Sequence, residues 1–312
     1  MERAAKQAER QRIAHLIAVE RQAIRNAAEA AAADYETTIE ALTGAHRLPF
    51  VRRDWYKLAT MPDVLAPKRH SGSEDAARAT LDAYSPGWFA RTFKREAKQR
   101  AALADAVAEA SRRDEAEYRS RLEAAARQNA DIAEARRIVG GDPDTMVAVL
   151  ERDSTLGQLP FSVEGLDTVF IDGRLIAFVD GLDLEDMPEE SVSLLKSGKA
   201  SFKPLAASKR HELHREAICS AAVRVAIEIL AILPIEVVEV VMLSDLLDRG
   251  SGHIDSLPVL YLRAAAQALD TLNLARTEGA ALVERLGGHM DWSRRDGFRA
   301  INVAAFSIDV EA

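Results

Sequence analysis

The chain has one cysteine, Cys219, so no disulfide can form within it. The fingerprints of several enzyme classes are also missing. There is no Gly-x-Ser-x-Gly elbow, no Cys-His pairing and no dinucleotide-binding glycine pattern. Lys196-Ser197-Gly198-Lys199 looks like the end of a phosphate-binding loop. However, Ser193 stands where the first glycine belongs and Ala200 where the magnesium-binding hydroxyl belongs, so an NTPase loop is excluded. No apolar run is clean enough for lipid. The most apolar stretch, 217–243, holds Arg224, Glu228, Pro234, Glu236 and Glu239, and charges at that depth are expensive in hydrocarbon. It therefore predicts a buried helix followed by a buried strand. Residues 1–16 lack the apolar core of a secretion signal, and cytoplasmic residence without a membrane partner is the expectation.

Helix breakers are absent where they would matter most. Neither glycine nor proline occurs in 2–43, and from 88 to 139 the chain is again free of both. Both stretches are rich in Ala, Arg and Glu, which favour helix. In the first, Ile13, Ile17, Ile24, Ala28, Ala31, Tyr35, Ile39 and Leu42 recur at helical spacing. In the second, Leu103, Val107, Ala110, Tyr118, Leu122, Ala125, Ile132 and Val139 do the same, with Asp114 and Asn129 breaking the seam. Two helices of roughly 65 Å each, at about 1.5 Å per residue, predict a long antiparallel, coiled-coil-like hairpin. Ala-rich seams bury little area, so a second copy completing the hairpin is also expected.

The net charge is −8, which argues against wholesale coating of nucleic acid. Between Gly44 and Arg100, however, twelve Lys/Arg face six Asp/Glu, leaving −14 for the rest. That insert, about 44–90, carries most of the hairpin's Pro and Gly punctuation, and a short helix is predicted from Ser73 to Ala83. Through Phe93 it also holds seven of the chain's seventeen aromatics. One reading makes these rings a miniature core with a solvated basic skin. The other makes Arg52, Arg53, Trp55, Lys57, Trp88, Arg91, Lys94 and Arg95 a binding surface for a nucleic-acid backbone or another anionic partner.

After Gly140-Gly141 the period changes. A short helix begins at Asp142-Pro143. Hairpins are predicted at 168–172 with 175–179, and at 192–195 with 200–203. A long helix runs from Ser208 to Leu233, strands follow at 235–243 and 259–262, helices at 264–274 and 277–286, and a last strand at 300–306. The fold class expected is α+β: a helical hairpin, residues 1–139, followed by a mixed-sheet α/β domain, residues 140–312.

Two constellations in that domain bear on chemistry. Asp180, Asp183 and Glu190 with Lys199 could serve as the carboxylates and lysine of a magnesium-dependent nuclease, with no cofactor expected otherwise. That class wants a Glu-x-Lys, and here Val192 takes the lysine's place. His211 and His214 are spaced to share one helix face and could offer two nitrogens to a metal, without a nearby third ligand. Cys219 lies in an apolar segment and is simplest as a core residue.

The run Pro188, Glu190, Ser193, Leu194, Lys196, Gly198, Lys199, then Glu212-Leu213 and Cys219-Ser220 through Arg224-Val225-Ala226, resembles a family of uncharacterised bacterial proteins. These join a helical N-terminal segment to a small α/β domain. The resemblance covers roughly residues 165–300 and implies that architecture, with no reaction and no functional residues to carry over. That family's pattern places a lysine where this chain has Val192. The functional expectation is an interaction protein presenting a basic aromatic tip, engaging a protein partner or a second copy, with nucleic acid as a further partner class. The alternatives are a metal-dependent nuclease or its inactive descendant, and a structural coiled-coil subunit.

Overall fold

The computed structural model describes residues 2–88, 93–158, 165–171, 173–247 and 250–306. The protein is α+β, and its contacts gather into two units: Met1–Arg53 with Met146–Ala312, and Asp54–Thr145. This differs from a division at 139/140, because the first long helix and residues 44–53 are built into the same unit as the sheet.

In that first unit, β1 (Gly165–Ile171) and β2 (Arg174–Asp180) form the expected hairpin, with Gly173 at φ +77 in the turn. The full sheet runs β1-β2-β5-β6-β7-β8, where β5 is Val237–Leu247, β6 Ile254–Ala265, β7 His289–Ser293 and β8 Gly297–Arg299. Only β2 and β5 are parallel; the other neighbours are antiparallel. Parallel neighbours need a crossover, supplied here by α6 (Ala207–Ile232). A separate hairpin precedes it, β3 (Glu190–Leu194) with β4 (Ala200–Pro204). The last strand expected, 300–306, is instead a short 3-10 turn at Val303–Phe306. Its apolar residues are satisfied by packing rather than by pairing: Ile301 and Val303 join Ile176, Val241 and Tyr261, and the Phe306 ring stacks on Tyr261 at 4.1 Å. Beyond β6 come α7 (Ala266–Asp270) and α8 (Gly279–Arg285).

Helix α6 is buried from Ala217 through Ile232, as a helix that is apolar on every face should be. Its few polar groups fasten other segments to it. Arg224 and Glu228 form a buried ion pair at 2.6 Å. Glu228 also accepts from the backbone N–H and hydroxyl of Thr155, while Arg224 donates to the Leu48 carbonyl at 3.0 Å. Glu216 accepts from the backbone N–H groups of Gly279 and Ala280 at the start of α8, and burial raises its pKa.

The end of α1 (Glu2–Thr43) and the turn after it dock on the same helix. Leu42 packs with Leu182, Met187 and Ala217. His46 is fully buried, with Nδ1 2.8 Å from the Ser220 hydroxyl and Nε2 2.9 Å from the Thr277 carbonyl. Burial lowers its pKa, so it folds as the neutral ring. The Arg53 amide then donates to the Ala231 carbonyl at 3.0 Å. Farther back, α1 lies along β3 and β4.

The second unit is built on α4 (Glu96–Val139), with α2 (Trp55–Ala59) and α3 (Gly72–Asp82) packed along it. Asp114 and Asn129, which interrupt the apolar seam, are the docking points. Asp114 accepts the Glu74 amide at 2.9 Å in the first turn of α3, and this bond holds its carboxyl below the usual range. Asn129 bonds both ways with the Val64 backbone, at 2.7 and 2.9 Å. Arg136 reaches the Met61 carbonyl at 2.9 Å and the Asp63 carboxylate at 2.9 Å. A polar residue in a helix seam thus satisfies the unpaired backbone of an irregular segment. The short helix α5 (Pro143–Asp153) follows. Among the described residues no helix is long and apolar enough to cross a membrane.

Candidate functional site

Several residues expected to form a basic aromatic surface have other duties. Arg52 pairs with Asp270 at 2.9 Å and Arg53 with Asp153 at 2.6 Å, both inside the first unit. Trp55 is buried, at 3% exposure. The Lys57 amide donates to Asp54 in the N-cap of α2. Trp88 and Phe93 are 71% and 63% exposed. Lys94 sits at φ 53 in the turn before α4, next to Arg95. Arg91 lies outside the described residues.

The structure does not bring Asp180, Asp183, Glu190 and Lys199 together. Asp180 ends β2, and Asp183 caps the turn Leu184–Asp186, accepting from the Ser244 hydroxyl at 2.9 Å and the Asp245 amide at 2.7 Å. Glu190 and Lys199 belong to the separate β3–β4 hairpin and sit at its opposite ends. At about 3.3 Å per residue, that is a span of about 13 Å, too long for one metal shell. His211 and His214 are both buried, and each bonds a carbonyl: Arg294 at 3.2 Å from His211 Nδ1, Leu182 at 2.7 Å from His214 Nε2. Burial lowers the His214 pKa. Among the described residues no group of three or more His, Cys, Asp or Glu is placed to hold a metal ion. Cys219 is a core residue, its thiol pushed far up by burial.

What the fold does assemble is a groove of about 760 Å³ between α1 and the β3–β4 hairpin. Arg21 and Arg25 enter from the helix, Lys196 and Lys199 from the hairpin turn, and Ile24, Leu194 and Leu195 supply apolar surface. Gly198, at φ +79, shapes the turn, and the stem of Arg25 passes 3.5 Å from where a Cβ on that glycine would stand. Among the described residues no carboxylate lines the groove. Arg25 pairs along its own helix with Glu29 at 2.8 Å. Arg21, Lys196 and Lys199 have no ion-pair partner among the described residues. In the sequence Lys196 and Lys199 lie between the two predicted strands 192–195 and 200–203, and Arg21 and Arg25 lie off the apolar seam of the first predicted helix. Nothing in their spacing announces that they meet.

Comparison with protein-family models, with curated proteins and with solved structures finds no match.

Proposed function

We propose that this is an interaction protein that takes an acidic, aliphatic-bearing segment of a protein partner into the groove between α1 and the β3–β4 hairpin. The observation that carries the reading is four cations and no carboxylate lining one groove on a chain of net charge −8. Arg25 has Glu29 as its counter-charge, whereas the other three have no ion-pair partner among the described residues. Like charges held together with so little counter-charge repel one another, and an anionic partner relieves that repulsion. The remaining surface of the groove, Ile24, Leu194 and Leu195, is aliphatic. It offers no ring on which a base could stack, and this favours a polypeptide over a single-stranded nucleic acid.

The test is fluorescence anisotropy with a short labelled peptide rich in Glu and Leu. Reversing both hairpin lysines, Lys196→Glu with Lys199→Glu, weakens binding on the order of a hundredfold at low salt. Each reversal removes one attraction and adds one repulsion, at about 0.5–1 kcal/mol apiece for charges screened by water. An unchanged Kd refutes the groove.

A second reading attaches to residues shortly before α4. Exposed Trp88, and exposed Phe93 next to Lys94 and Arg95 in the chain, favour nucleic-acid contact, since rings and cations together suit stacked bases and phosphates. The antiparallel pairing expected of the two long helices, or a helix of a second copy in its place, belongs to the same proposal. It is supported by the stripe that α1 leaves exposed at Ile13, Leu16 and Ile17.

A further inference from the structure

The carboxyl ends of the parallel strands β2 and β5 border a second cleft, of about 690 Å³. This is where open sheets with parallel strands place ligands, because the chain diverges there and leaves a crevice. One rim is made by the loop after β2, which α6 clamps. His214 holds the Leu182 carbonyl, and Arg210 holds the Leu184 carbonyl at 2.9 Å. The other rim is the outer end of the β5–β6 ribbon, past the register shift at Met242/Leu243.

The two kinds of wall differ. The apolar wall includes Leu246, Leu257 and Phe298, with Leu247 and Ile254 exposed at 60% and 59%. The polar wall offers acceptors. The Asp245 carboxylate accepts no hydrogen bond among the described residues, and its pKa is raised by partial desolvation at the cleft edge and by the neighbouring Asp183, Asp180 and Asp255. The cleft's one arginine, Arg299, is held by Asp291 and Asp296 at 3.2 and 3.3 Å.

His211 completes the set. It is 8% exposed, and its Nδ1 lies 3.2 Å from the Arg294 carbonyl. A carbonyl only accepts, so Nδ1 carries a proton, and in the neutral ring Nε2 then presents a lone pair. Nε2 has no partner among the described residues. It borders the cleft at Gly297, where an added Cβ would stand 3.5 Å from it.

We infer that this cleft is a binding site for a primary ammonium group on an aliphatic body, with the charge between Asp245 and His211 Nε2 and the chain along Leu247 and Ile254. A cleft with acceptors, an engaged arginine and an aliphatic wall asks for a cationic N–H donor. An anion would meet the unpaired Asp245 carboxylate, and a neutral alcohol would leave its charge uncompensated.

The experiment is a titration of the full chain, followed by ¹H–¹⁵N NMR, with n-hexylamine, hexanoate and hexanol. Hexylamine shifts the resonances of His211 and Gly297, whereas hexanoate and hexanol at equal concentration leave them in place. Asp245 is exposed, so Asp245→Asn keeps the fold and weakens hexylamine binding about tenfold, the range of one charged hydrogen bond. N-acetyl-lysine methylamide separates the sources: tighter binding than hexylamine assigns the site to a lysine side chain of a partner, weaker binding to a free amine. Equal shifts with hexanoate, no shift at His211, or an unchanged affinity in Asp245→Asn overturns the assignment.

Discussion

Glu228→Ala lowers the unfolding free energy of the first unit by about 3–5 kcal/mol, the cost of leaving a buried charge without its partner. Arg224 and Glu228 are 4% exposed each, and Glu228 is the counter-charge nearest the guanidinium, at 2.6 Å. Removing that carboxylate also strands the Thr155 amide and hydroxyl and the Ser154 hydroxyl. Alanine therefore leaves a buried cation without its counter-charge and three donors at the edge of the site that must turn to water. The double change Arg224→Met with Glu228→Leu removes both charges and keeps much of the volume, so it costs distinctly less than the single change. Urea unfolding of the three chains measures this. A single-variant loss below about 1 kcal/mol would mean the pair is solvated and does not organise α6.

Gly279→Val is expected to cost about 3 kcal/mol or more, at the upper end for forcing atoms into a packed interior. A Cβ at 279 would stand 2.6 Å from the Ser220 amide nitrogen and 2.8 Å from Ser220 Cα, both backbone atoms of α6. A buried helix cannot retreat by a rotamer change, so α8 must lift away. Lifting it breaks the bonds from Gly279 and Ala280 to Glu216, leaving a half-buried carboxylate without donors. Gly72→Ala is the control: it meets nothing within 4 Å and begins α3, so thermal unfolding should hardly move. Equal melting temperatures for Gly279→Val and the parent chain would contradict the close approach of α8 to α6.

The long helices, both hairpins of the α/β region and the buried helix α6 were legible because each has a local cause: missing helix breakers, turn glycines, or an apolar run bounded by proline. Pairing was not legible. Asp114 and Asn129 read as flaws in a helix seam, since periodicity cannot see the Glu74 and Val64 backbone groups that need them. Arg52 and Arg53 read as free cations because their acids, Asp270 and Asp153, are remote in the chain. Strands β7 and β8 are only five and three residues long; β7 does alternate, with Met290 and Trp292 between polar residues, but so short a run is outweighed by the apolar residues after it, which imitate a strand. Of the two clefts, the sequence offered the hairpin lysines and the two histidines as separate features. Only the fold sets Lys196 opposite Arg21, and His211 beside Gly297.

Mapping the acidic peptide onto the ¹H–¹⁵N spectrum of the full chain tests the binding proposal most directly. The prediction is that shifts concentrate at residues 18–25 and 194–199, fade as salt is raised, and vanish in the Lys196→Glu, Lys199→Glu chain. Shifts centred on Trp88 and Lys94, or a single-stranded oligonucleotide displacing the peptide from residues 194–199, would contradict it.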